Sequence, residues 1–220
     1  MWKLTPFNQG AVLGQVPDAE VRRGVCAALC DMWMNLMRDA TARRPEDRMD
    51  SLRATISMTI RKQRSYKELV RAKGREAGRK FLGKGLGMEF EELTRIERRF
   101  TGKTGMVLQM QKDLKLPGAK MSWSLLFQGG GAHALAGNHY MEAISTNFHR
   151  MSVHVFDPNI GEYVGQVQDI PGIVDDMFRR KPGYNRVDTM ERRTVTLAGD
   201  DAEEAEEKTD PFAMPWDKKK

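Results

Sequence analysis

Arg23-Gly24-Val25-Cys26-Ala27-Ala28-Leu29-Cys30-Asp31-Met32-Trp33 is the stretch on which the fold turns. Val25, Leu29, Met32, Trp33 and Leu36 recur at helical spacing, so residues 20–39 are expected to form a helix with a buried face. Asp18 is placed to cap it. Gly24 allows the backbone before Cys26 to approach a substrate closely. Cys26 then sits in the first turn, where unpaired N–H groups and the helix dipole favour a thiolate. Cys30, a turn deeper and next to Leu29 and Trp33, reads as core. Two cysteines four residues apart make no disulfide framework, and both are expected to be free thiols.

Working outward, residues 1–19 read as an irregular arm broken by Gly10, Gly14 and Pro17. Pro45-Glu46-Asp47 opens a second helical stretch reaching roughly to Lys80, with Met49, Leu52, Ile56, Ile60, Leu69 and Val70 as its broken apolar stripe. Gly83 to Gly87 reads as a loop, Glu89 to Phe100 as a third helix, and Gly102 to Gly105 as a turn. Strands follow: Ser122–Phe127, ended by the triple glycine 129–131, then His139–Ser145 and Ser152–Phe156 around a polar turn at Thr146-Asn147. Glu162–Val167 is a fourth strand and Arg193–Leu197 a last one, with a short helix over Asp169–Arg180. Helices first and antiparallel strands afterwards make an α+β fold, with the helices expected on one side of the sheet.

The chain of 220 residues suffices for one well-cored domain, placed at residues 1–199, plus a tail. Eight acids against four lysines in residues 200–220 leave that tail at −4 and the rest at +10. The tail's composition predicts disorder. Much of the basic excess lies between Arg38 and Lys84, either as solvated helix faces or as a surface for an anionic membrane or acidic partner. No nucleic-acid recognition motif accompanies it. No apolar run is long enough to span a bilayer, and Met1-Trp2-Lys3-Leu4-Thr5-Pro6 has no signal-peptide h-region. Gly102-Lys103-Thr104 lacks the upstream glycine of a P-loop, because position 97 is Glu. Gly83/Gly85/Gly87 follows a helix rather than a strand, so it is no dinucleotide fingerprint. No Cys/His cluster suggests zinc, and no cofactor is expected.

A helix-borne thiol needs a base and a group to orient it. Two histidines qualify. His139 lies 18 residues before Asp157, the length of two short strands and a hairpin turn, and is preferred on that ground. His133, 24 residues before it, needs an extra loop. His149 and His154 read as structural or exposed. Asp157 ends the apolar strand and begins Asp157-Pro158-Asn159, which is also strong turn chemistry. A side-chain amide upstream of Cys26 would help to hold a developing oxyanion. Gln9, Gln15 and Asn8 are the candidates, with Gln9 favoured.

Gly24-Val25-Cys26-Ala27-Ala28-Leu29, with Trp33 seven residues after Cys26, resembles the nucleophile motif of the YopT/AvrPphB-type cysteine proteases. Phe156-Asp157-Pro158-Asn159-Ile160-Gly161-Glu162-Tyr163 resembles that family's acid motif, with Asp, Pro, Asn, Gly and Glu in register. The resemblance spans roughly residues 24–165 and is sharp in these two blocks. It implies a papain-like fold, a Cys26/His139/Asp157 triad with His133 as the rival base, and bacterial effector proteases as relatives. Members of that family cleave host proteins after delivery, prenylated Rho GTPases and a plant kinase among them. It further implies secretion without a cleaved signal, action in a target-cell cytoplasm, and a protein as substrate. A transglutaminase-like or deamidating enzyme with the same triad, or an inactive binding module, are the alternatives.

Overall fold

The computed structural model describes residues 1–14, 25–39, 44–84, 88–90, 94–96, 102–145 and 148–197. The tail expected at residues 200–220 and the turn at Thr146-Asn147 lie outside these residues. The strands are β1 (Lys3–Pro6), β2 (Met88–Phe90), β3 (Thr94–Ile96), β4 (Lys120–Phe127), β5 (Ala132–Ser145), β6 (Phe148–Asp157), β7 (Gly161–Gly165) and β8 (Val187–Leu197). They form one antiparallel sheet in the order β1-β7-β6-β5-β4-β8-β2, with β3 also pairing β8. The helices are α1 (Gln9–Leu13), α2 (Cys26–Leu36), α3 (Pro45–Ala54), α4 (Ile56–Lys73), α5 (Arg75–Lys84), α6 (Gly102–Asp113) and α7 (Ile170–Arg180).

The α+β expectation holds, but helices cover both faces of the sheet rather than one. Alternation along each strand explains this, because successive side chains point to opposite faces. Ala134, Ala136 and Phe156 join the core beneath α2 and α3, whereas Trp123, Leu135, Val153 and Val155 join a second core beneath α6 and α7. Both faces of the central strands are therefore apolar, and each demands a cover. Helix α2 is buried from Ala27 to Met34, all round rather than on one stripe, so it is the central helix of its layer.

Four sequence expectations fail locally. The arm over residues 1–19 contains β1, paired with β7, and α1, capped by the Asn8 side chain on the N–H groups of Gly10 and Ala11. Within the helix expected over Glu89–Phe100, the described residues belong instead to β2 and β3, which pair the two halves of β8. The turn expected at Gly102–Gly105 begins α6, whose Met106 and Met110 fall one turn apart on the second core. The stretch from Pro45 to Lys80 is three helices, parted at Thr55 and at Gly74, whose φ is +86°.

Candidate active site

Cys26 occupies the first position of α2. Val25, at the N-cap, offers no capping side chain, so the first-turn N–H groups are free for other acceptors. The Ala28 N–H donates to Gln63 Oε1 of α4 at 3.1 Å. The Ala27 N–H faces the Cys26 sulfur, as does the Ala134 N–H at the start of β5. Burial alone would raise the thiol above its ordinary value. The His133 imidazole, by hydrogen bond and by charge, together with those two N–H groups, outweighs burial and brings the thiol below that value.

His133 is the second residue of β5, and Asp157 the last of β6. Strand register sets their meeting: Ala136 pairs Phe156, which puts Asp157 and His133 on the same face at the same end of the hairpin. His133 Nε2 lies 2.8 Å from Asp157 Oδ1, with both side chains buried. That contact leaves Nδ1 for the thiol. Burial would lower the imidazole's pKa, but the charge and hydrogen bond of Asp157, followed by Cys26, push it up to about 10. A lowered thiol facing a raised imidazole is the charge pattern of a thiolate–imidazolium pair.

Asp157 has further partners that sequence reading did not single out. Its Oδ1 also accepts the Asn159 backbone N–H at 2.8 Å, and its Oδ2 accepts the Tyr184 hydroxyl at 2.7 Å. Nothing in the local sequence around Tyr184 marks it, because it arrives from a 3-10 turn 27 residues further on. Asn159, by contrast, was visible within the acid block.

The pairing expected between His139 and Asp157 does not form. His139 lies opposite Val153, three same-face steps along β5 from His133, or roughly 20 Å at strand rise. Its ring faces the backbone carbonyls of Leu114 and Leu116, and burial lowers its pKa despite them. The 18-residue spacing misled because β5 is 14 residues long and begins at Ala132. His154 is structural, bonding Glu162 Oε1 at 2.7 Å and Ser152 Oγ at 2.9 Å. The His149 side chain lies outside the described residues. Cys30 is buried core, its thiol raised by burial and by the nearby negative charge of Cys26 and Asp31.

Of the amide candidates, Gln9 stands at the site. Its Oε1 accepts the Val25 N–H at 2.9 Å, and its Nε2 donates to Asn159 Oδ1 at 2.7 Å. Asn8 is engaged as the α1 cap, and Gln15 lies outside the described residues. The arm reaches the site because Phe7 N–H bonds Ile160 O and Gln9 N–H bonds Pro158 O. Gly161 makes that docking possible: its φ is +137°, and a Cβ there would stand 2.1 Å from Thr5 O.

Glu162 anchors the site from behind. Fully buried, it accepts Arg48 Nη2 at 2.5 Å, Trp33 Nε1 at 2.9 Å and His154 Nδ1 at 2.7 Å. Burial would raise its pKa, but His154 and Arg48 hold it down at about 2. Trp33 also stacks on Phe156 at 5.5 Å between ring centroids. Trp33, about two turns beyond Cys26, thus ties α2 to β6 through Phe156 and to β7 through Glu162. No group of three or more metal-binding side chains occurs among the described residues.

An α+β fold presenting a thiol, an imidazole and a carboxylate at one helix N-terminus is the class these features define. No family model and no curated protein matches the chain. Among solved structures, the crystal structure of the Pseudomonas avirulence protein AvrPphB is similar, with a TM-score of 0.64 and 19% sequence identity. The match covers 80% of this chain and 94% of that one, and at this identity the likeness is one of fold.

Proposed function

We propose that this chain is a papain-like cysteine endopeptidase with Cys26 as nucleophile, His133 as base and then acid, and Asp157 as the group that orients His133. The observation that carries it is the thiol at the α2 N-terminus paired with an imidazole whose far nitrogen rests on a buried carboxylate. The thiolate adds to the peptide carbonyl carbon, and the imidazolium gives its proton to the leaving amine, so the C–N bond breaks and a thioester remains. Water then attacks the thioester, losing a proton to the imidazole, and releases the acid with the thiol restored. The backbone N–H of Cys26 and the Gln9 amide are assigned to the oxyanion. Gln9 Nε2 carries a second proton beyond the one it gives Asn159.

Fold likeness to AvrPphB and the two sequence blocks support the protease reading. The substrate is read as a protein of a target cell, reached by secretion without a cleaved signal. The basic helix α4, with Lys67, Arg71 and Lys73 in its second half, is assigned to an anionic membrane surface near that target. Charge reversal at these three positions should weaken binding to phosphatidylserine vesicles; unchanged binding removes that assignment.

The central test is alkylation of Cys26 with limiting iodoacetamide across pH, mapped by mass spectrometry. Fast labelling at Cys26 below the ordinary thiol range, lost on His133→Ala, is expected. Slow labelling with an ordinary thiol profile would refute the proposal. Intact masses of candidate substrates then separate chain cleavage from deamidation.

A further inference from the structure

Two open pockets adjoin the Cys26 site. One, of about 350 Å³, has Phe127 and Tyr184 in its lining. The other, of about 510 Å³, has Phe7, Ile160 and Asn159 in its lining. Lys181 lines both, so the two pockets meet at that residue and share it as a common wall of one groove region. Asn159 and Tyr184 join across it, Nδ2 to hydroxyl at 3.4 Å. These are also the residues that bond Asp157. Two residues of the groove lining therefore also contact the carboxylate beside His133.

Its charge is one-sided. Arg53, Arg180, Lys181 and Arg186 line it, and no Asp or Glu does among the described residues. Arg53 is held by Asp50 and Arg180 by Asp176, which part-cancels both. Lys181 and Arg186 meet no carboxylate among the described residues, and the Arg186 guanidinium bonds the Gln128 carbonyl. A lining that sets apolar side chains beside Lys181, where the pockets meet, and Arg186 suits an extended segment that presents carboxylates beside apolar side chains. A flat bilayer headgroup plane fits a concave groove of this shape less well.

We infer that this groove binds an acidic peptide segment, with Lys181 as the residue that selects Asp or Glu. The inference rests on the protease reading only for the role of that segment as substrate.

The test uses the full chain carrying Cys26→Ala and fluorescence anisotropy with matched peptides bearing Asp/Glu, Asn/Gln or Lys around apolar residues. Acidic peptides should bind on the order of tenfold more tightly than their amide counterparts, a margin that shrinks with added salt. Lys181→Glu should abolish that margin and Lys181→Arg should keep it. Equal binding of acidic and amide peptides, or a margin indifferent to Lys181→Glu, overturns the inference. So does binding of phosphatidylserine vesicles lost on Lys181→Glu without any peptide discrimination, which would assign the groove to lipid. Alkylation of Cys26 in the unsubstituted protein is scored separately. An inert thiol with intact acidic selectivity sinks the protease reading and keeps the groove, whereas a reactive thiol without selectivity does the reverse.

Discussion

Replacing His133 by Ala isolates what the imidazole does for the thiol. In the intact site, burial pushes Cys26 up and His133 with two backbone N–H groups pulls it below 9.0. Without the imidazole the largest favourable influence is gone, burial remains, and the thiol should rise above 9.0. At pH 7 a thiol of pKa 9.0 is about one per cent ionised, so alkylation at that pH should fall by roughly 100-fold if the intact pair is mostly thiolate. The intact protein should show two inflections, one below the ordinary thiol range and one near the His133 value of about 10. The imidazole's raised pKa stabilises the fold fully below 6.5, and that contribution is lost as pH rises through about 10. Stopped-flow labelling with iodoacetamide, with adducts mapped to Cys26 and Cys30, reads both inflections. His139→Ala is the control, and its profile should match the unsubstituted protein. A collapse on His139→Ala, or an unaltered profile on His133→Ala, would refute the assignment of the base.

Glu162→Gln leaves Arg48 buried without its carboxylate and should cost about 3–5 kcal/mol in urea unfolding. Because the Glu162 pKa is lowered from 4.5 to about 2, its contribution of roughly 3 kcal/mol is present above pH 4.5 and lost as pH falls through about 2, and the variant should lack that step. Gln9→Ala should lower peptide turnover by about 100-fold while changing the alkylation rate little, since alkylation develops no oxyanion; parallel losses in both would make Gln9 a packing residue alone. Tyr184→Phe strips one donor from Asp157 and should reduce turnover by about tenfold, with melting temperature recorded alongside. Gly161→Ala drives a Cβ into the Thr5 carbonyl and should destabilise by about 2–4 kcal/mol, with β1 amides exchanging first.

Where a local pattern was long and periodic, the sequence was legible. Helix α2 follows from the spacing of Val25, Leu29, Met32 and Trp33, and the end of β6 from the turn chemistry of Asp157-Pro158-Asn159. Cys26 and Asp157 both contact one imidazole, that of His133, and Gln9 does stand beside Val25. The histidine that meets Asp157 is His133 rather than the expected His139, because the pairing depends on how far β5 extends, which the weakly patterned Ala132-His133-Ala134-Leu135-Ala136 does not declare. The same limit hid β2 and β3: three-residue strands hold no period, and only the open edge of β8 gives them a partner. Glycine misled in two directions. Gly102 opens a helix with φ +83° instead of marking a turn, and Gly10 lies inside α1. Tyr184 contacts Asp157 only through tertiary folding, so no linear motif could have announced it.

The acid block does two jobs with neighbouring residues. Asp157 faces the thiol–imidazole pair, while Gly161 and Glu162 seat the arm and lock Trp33 and Arg48. The thiol of Cys26 has no share in that locking. A copy of the chain stripped of its sulfur should therefore keep its shape and its groove intact. Such a copy would act as a snare, holding whatever the groove selects without releasing it as product. Fishing with it offers a direct route to the natural target, and the same separation means that a related chain could discard the chemistry yet still carry every residue of the acid block.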